Sequence, residues 1–190
     1  MKSKFTIFLV ATLLLTRSVS AQNWAQIGAD IDGEAAGDLS GISVSLSNDG
    51  NTVAIGALHN SGNGASAGHV RVFENIEGSW KQVGSDIEGD ADYDQFGRSV
   101  ALSDDGSVLL VGAKNNDGNG TDAGHVRVYK NMNGTWTQVG SDIEGEAAGD
   151  QFGTSVSINS DGSVIAIGAW ICKNINHKNL NNLLNQNLLL

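Results

Sequence analysis

Proline is missing from the 190-residue sequence, cysteine occurs once, and aromatic residues make up only 6%. The single cysteine, Cys172, excludes an internal disulfide and any multi-cysteine metal site. Basic residues are scarce as well: residues 22–169 hold all 21 Asp and Glu but only six Lys or Arg. A surface that acidic repels phosphate backbones and anionic lipid, which argues against nucleic acid or a membrane surface as partner. No stretch between 22 and 169 has helical periodicity of useful length, and no apolar run there could span a bilayer. Glycine, by contrast, is plentiful at 25 residues. A hydrophobic content of 40% is enough for a packed core, so the chain is not expected to be disordered. Its length admits one domain, or two at most.

The one long apolar run lies at the front. Lys2 and Lys4 precede Phe5 to Leu15, and polar residues then lead to Val19-Ser20-Ala21. A basic start, an apolar centre and small residues before a cut describe a secretory signal peptide over 1–21, cleaved after Ala21. The run has 11 residues, whereas a membrane-spanning helix needs ~20. The mature protein is therefore expected to be secreted, extracellular or at the cell surface, with no membrane insertion after signal cleavage.

Trp24, Trp80 and Trp136 are each 56 residues apart, and the text around them repeats. WAQIGADIDGEAAGD, WKQVGSDIEGDADYD and WTQVGSDIEGEAAGD open three copies, at 24–79, 80–135 and an incomplete 136–169. A fixed period of this size marks a solenoid, a propeller or an array. Each unit reads as four short strands. Ser43 to Leu46 alternates small and large residues, the period of two of a strand. Asn48-Asp49-Gly50, Asp104-Asp105-Gly106 and Ser160-Asp161-Gly162 close hairpins. Second strands follow at Thr52 to Ala57, Val108 to Ala113 and Val164 to Ala169, third strands at His69 to Phe73 and His125 to Tyr129. The Trp-led segments supply the fourth, including a lone one near Trp24. Val44, Leu46, Val53 and Ile55 should share one face of their sheet, with Ser43, Ser45 and Ala54 on the other. Such sheets can nest on their own copies, large face into small. The fold class is therefore all-β, a partial β-propeller of about two and a half four-stranded antiparallel blades.

The series Phe96-Gly97, Asp105-Gly106, Val111-Gly112-Ala113 and Gly124 to Tyr129 resembles an FG-GAP repeat, the blade motif of integrin α-chain heads and many secreted bacterial proteins. The resemblance covers about 24–169 and implies propeller blades and a role in extracellular binding or adhesion. Three departures stand out. Ser40-Gly41 replaces Phe-Gly in the first copy, Leu58, Lys114 and Trp170 stand where proline is usual, and the acidic calcium loop is only a tight Asp-Gly turn. Calcium binding at that turn does not follow from the resemblance.

A closed propeller typically needs four to eight blades, so the chain reads as a fragment whose open blade edges invite self-association. After Ala169 the text changes. Residues 170–190 hold no Gly and no acid but seven Asn and six Leu, the low-complexity signature of a truncated or out-of-frame end. The rival is an amphipathic segment through Leu180, Leu183, Leu184 and Leu188, which so many asparagines disfavour.

No cofactor is implied, and calcium is the one ion with a weak candidate site. Asp117, Asn119, Thr121 and Asp122 crowd oxygen atoms into one loop, which suits a hard cation. The matching loop at Asn60 to Ser66 has no carboxylate. Asp90, Asp92 and Asp94 read as mutually repelling surface acids. Asp38, Asp94 and Asp150 recur before each repeat's glycine and read as carboxylates accepting backbone N–H groups. His69 and His125 read as strand-edge packing, and the repeated Trp as a plug between blades. No catalytic site is visible. The expected function is a secreted non-enzymatic module that binds an extracellular protein or glycan through loops 58–67 and 114–123, with Asn60, Asn63, Asn115 and Asn116 as ligand-loop candidates. The alternatives are the accessory propeller of a secreted enzyme, or a remnant without independent activity.

Overall fold

The computed structural model describes residues 24–170, and all regular structure within them is β. The expected signal peptide and the Asn/Leu segment after Trp170 lie outside the described residues. Sheet 1 comprises β1 (Ser40–Leu46), β2 (Thr52–Ala57), β3 (His69–Ile76), β4 (Ser79–Gln82) and β5 (Ile87–Glu88). Sheet 2 repeats it with β6 (Phe96–Leu102), β7 (Val108–Ala113), β8 (His125–Met132), β9 (Thr135–Gln138) and β10 (Ile143–Glu144). Sheet 3 is the hairpin of β11 (Ser155–Ile158) and β12 (Ile165–Gly168).

All pairings within the sheets are antiparallel. The fourth strand differs from the expected single element. It is split, with β4 pairing the far half of β3 and β5 its first two residues. Between them Gly84 adopts a φ of +76°, open to glycine without steric penalty. The lone fourth strand expected near Trp24 is not a strand either. Residues 24–39 contain no regular structure. They follow the course of β4 and β5 one repeat earlier: Trp80 Nε1 donates to the Ile27 carbonyl at 3.0 Å, as Trp136 Nε1 donates to Val83 at 3.2 Å. Trp136 packs against the core as a plug, whereas Trp24 is 90% exposed.

The hairpin turns form as the Asp-Gly pairs require. Asp49 accepts from the Ser47 hydroxyl at 2.7 Å and the Asn51 N–H at 3.0 Å, and Gly50 turns the chain at φ +74°. Asp105 repeats this with Ser103 and Ser107. The register pairs Val44 with Ile55 and Leu46 with Val53, so these four share one face; Ser45 and Ala54 share the other.

Stacking follows from that division. The small-residue face of sheet 1 meets the large-residue face of sheet 2, where Ala54, Val70, Val72 and Ile87 pack with Phe96, Val100, Leu109 and Val111. The other face of sheet 2, with Ala101, Leu110, Val126 and Val128, receives Phe152, Val156, Ile158 and Ile167 from sheet 3. Each fully buried large side chain, such as Phe96 or Leu109, contributes about 1.5–3 kcal/mol. The approach is close because glycine lines it: a Cβ on Gly56 or Gly112 would collide with the carbonyl of Gly97 or Gly153. Among the described residues the stack is open at both ends. Val44 and Leu46 on sheet 1 are 59% and 56% exposed, whereas their equivalents on sheet 2, Val100 and Leu102, are 9% and 7%.

Candidate functional site

Two features recur in both full sheets at the end where β3 and β8 begin: a polar loop, and a His/Arg/carboxylate cluster. The loops, 58–67 and 114–123, join β2 to β3 and β7 to β8. Asn60 is buried and donates to Asp38 at 2.9 Å, and its Oδ1 accepts the Gly62 N–H at 2.8 Å. Asn116 does the same with Asp94 and Gly118, at 2.8 and 2.9 Å. Asn63 donates to the Gly89 carbonyl at 2.8 Å, and Asn119 to Gly145 at 2.7 Å. The Asn115 Oδ1 accepts from Lys114 at 2.9 Å. These carboxamides pin the loops to the neighbouring segment, while His59, Ser61, Asp117 and Thr121 stand exposed at the tips.

The same bonds decide what a cation would find at Asp117, Asn119, Thr121 and Asp122. The Asn119 Nδ2 donates to the Gly145 and Glu146 carbonyls, which leaves only its Oδ1 for an ion, and the Asp117 carboxylate closes the loop on the Asp122 N–H at 2.8 Å. The Asp-Gly turns do not fit calcium either, since each brings one carboxylate already holding a serine hydroxyl and a backbone N–H. The recurrent aspartates divide. Asp38 and Asp94 take side-chain amides, and the expected backbone bond reaches Asp94 from Ala91 and Asp150 from Ala147, the latter at 3.0 Å. Burial raises the Asp94 pKa despite its bond from Asn116. The run Asp90, Asp92, Asp94 is not a set of repelling surface acids. Asp90 pairs with Arg127, Asp92 holds the Ala65 N–H and Asp94 holds Asn116.

The clusters escaped the sequence because their members come from three segments. His69 Nδ1 lies 3.8 Å from Glu34 and 3.7 Å from Asp86, with Arg71 beside Glu34 at 3.9 Å. One repeat on, His125 Nδ1 lies 3.7 Å from Asp142, and Arg127 donates two bonds to Asp142, at 2.9 and 2.8 Å, and one to Asp90. The signal was present in the 56-residue register, which aligns Glu34 with Asp90, His69 with His125 and Asp86 with Asp142. Burial lowers the pKa of both histidines, that of His125 to about 4, with Arg127 pushing the same way. Hydrogen bonds from Arg127 lower the pKa of Asp90 and Asp142. Burial alone would lower that of Arg127, but its bonds to the two aspartates overcome it and raise it. Glu34, His69 and Asp86, or His125, Asp142 and Glu144, lie close enough to hold a metal ion. In the second set the Arg127 guanidinium already occupies both Asp142 oxygens and supplies the positive charge a cation would bring. The clusters are best described as half-buried polar contacts, with an Arg127 ion pair in the second, that tie the start of β3 and β8 to the loop segments beside them.

Residues 86–129 match the FG-GAP repeat model. That stretch is an FG-GAP repeat. The matched stretch runs from β5 to β8, across the junction between the two full sheets. Among solved structures, this chain is similar to the hydrazine synthase of Kuenenia stuttgartiensis, with a TM-score of 0.44 and 17% identity over 74% of this chain and 32% of that one. It is also similar to a periplasmic gluconolactonase of Pseudomonas aeruginosa, with a TM-score of 0.44 and 18% identity over 67% of this chain and 36% of that one. The chain thus spans about a third of the length of these structures. No curated protein matches the sequence.

Proposed function

We propose that this FG-GAP-like repeat protein is an exported, non-catalytic recognition module whose loops 58–67 and 114–123 engage an extracellular protein or glycan. One observation carries the reading. Two equivalent loops stand at the same end of adjacent sheets, each fixed by two asparagine carboxamides and each exposing a different set of polar tip residues. Loops held rigid by their scaffold lose little entropy on binding, and varied tips on a constant frame suit recognition. A non-catalytic role fits the clusters below them, since His69 and His125 are both 1% exposed and Arg127 occupies the aspartates beside His125. Export rests on the signal peptide.

The test is binding of the full chain to a glycan array and to a panel of immobilised extracellular proteins, beside a variant carrying His59→Ala and Thr121→Ala. The reading expects saturable binding to one class of target, weakened at least about tenfold in the variant with the melting temperature unchanged. Binding indifferent to the tips, or none across both panels, contradicts it. Export is checked separately by N-terminal sequencing of the protein from the medium, which should begin at Gln22.

A further inference from the structure

Both junctions between sheets are built from the same four contacts, displaced by 56 residues. In the first, Ser43 Oγ donates to the Gly97 carbonyl at 2.8 Å and the Asn48 N–H to the Asp104 carbonyl at 2.9 Å. In the second, Ser99 Oγ donates to Gly153 at 2.7 Å and the Asp104 N–H to Ser160 at 3.0 Å. Gly56 faces the Gly97 carbonyl as Gly112 faces that of Gly153, and the side chain of Thr52 covers Gly106 as that of Val108 covers Gly162.

The two ends of the stack carry the unmatched halves of this set. At the sheet 3 end, Ser155 and Ser157 on β11 and Ala166 on β12 are exposed, Val164 is 50% exposed, and the space over Gly168 holds only its own strand partner Ser155. At the sheet 1 end stand exposed Val44 and Leu46, with open space around Gly41 and Gly50. In the repeat register Gly41 is the equivalent of Gly97 and Gly153, and Ser155 of Ser43 and Ser99. The outer part of sheet 1 is already flanked by residues 27–32, through the bonds of Trp80 to Ile27 and of Arg71 to the Asp32 carbonyl. Among the described residues, what is missing over sheet 1 is therefore an inner two-stranded hairpin, the element that sheet 3 offers.

We propose that a second copy of this chain docks head to tail, with the small-residue face of β11 and β12 in one copy covering the large-residue face of β1 and β2 in the other. Ser155 then donates to Gly41, the Ser160 N–H to the Asn48 carbonyl, and Val164 covers Gly50, reproducing the intrachain junction across the dimer. The contact is heterologous, so it closes only as a ring. Each chain contributes three stacked sheets, and two copies give six, within the four to eight of a closed propeller; three copies exceed it. This inference uses the sheet faces, not the strand edges, and is independent of the loop reading.

The test is the mass of the purified full chain by sedimentation equilibrium, for wild type, Val44→Asp and Ala166→Lys. Both replaced side chains are exposed within the chain, and retained circular dichroism and melting temperature confirm that each variant folds. The wild type should be a dimer. Each variant should be a monomer, weakened about a hundredfold or more by a charge placed in an apolar contact. Mixing the two variants should restore a dimer, because the intact tail of Val44→Asp meets the intact head of Ala166→Lys. A monomeric wild type, including one whose residues 171–190 cover the face, overturns the proposal. So does a dimer unaffected by both variants, or a mixture of monomeric variants that fails to associate.

Discussion

Truncating Phe96 to alanine removes the largest side chain that is fully buried in the stack. Its ring meets His125 and Tyr129 edge-on, with centroids 6.4 and 6.3 Å away, and lies 5.9 Å from the Arg127 guanidinium carbon. Its backbone also anchors sheet 2 on sheet 1, through the Phe96 N–H to the Ala67 carbonyl at 2.9 Å. Phe→Ala in a packed core costs about 3–5 kcal/mol, a large share of the roughly 5–15 kcal/mol that stabilises an ordinary domain. With a urea dependence of about 2 kcal/mol per molar, a loss of about 4 kcal/mol lowers the midpoint by about 2 M. Phe96→Leu keeps the apolar volume but loses the edge-on contacts, and should cost about 1.5 kcal/mol or less. Urea unfolding followed by tryptophan fluorescence and circular dichroism together reads both variants. A shift under about 0.5 M for Phe96→Ala, or equal shifts for Ala and Leu, would refute the placement of this ring between sheets.

Gly112→Ala should destabilise the chain by about 1–3 kcal/mol in calorimetry, because the new methyl meets backbone, the Gly153 carbonyl, which cannot rotate aside; an unchanged melting temperature would contradict the close approach of sheets 2 and 3. Stability should fall as pH drops from about 6.5 to 4. The unfolded chain takes up a proton on His125 over that range, while the native one, with its pKa lowered to about 4, does not. The loss from this residue is about 3 kcal/mol, and His125→Leu should flatten the slope in pH-dependent urea melts. Millimolar Ca2+ should leave the melting temperature unchanged, since the Asp117 carboxylate that would bind it already closes the loop on the Asp122 N–H; a rise of several degrees reversed by chelator would contradict this.

How much was legible in the sequence depends on whether the physics was local. The small-large alternation of Ser43 to Leu46 and the Asp-Gly turns gave strands, hairpins and the two unlike faces, because a period of two and a positive φ are written in neighbouring residues. The break in the fourth strand was less visible, since Val-Gly-Ser reads equally well as extended chain until Gly84 turns at positive φ. The His/Arg/carboxylate clusters are long-range, assembled from residues 35 and 17 positions away from each histidine. Only the repeat register hinted at them. The loop asparagines looked like ligand groups because carboxamides suit both a partner and a backbone; in the fold, Asn60 and Asn63, with Asn116 and Asn119, serve the backbone and the aspartates.

The central claim is that 56-residue units stack as equivalent sheets, and amide hydrogen exchange at Asn48 and Asp104 tests it most directly. Both residues lie in solvent-exposed turns, yet each N–H donates across a sheet junction, to Asp104 and Ser160 respectively. Stacked sheets predict exchange at both amides as slow as in the adjoining strands. Exchange at the rates of free turns would mean that the units do not lean on one another in this way.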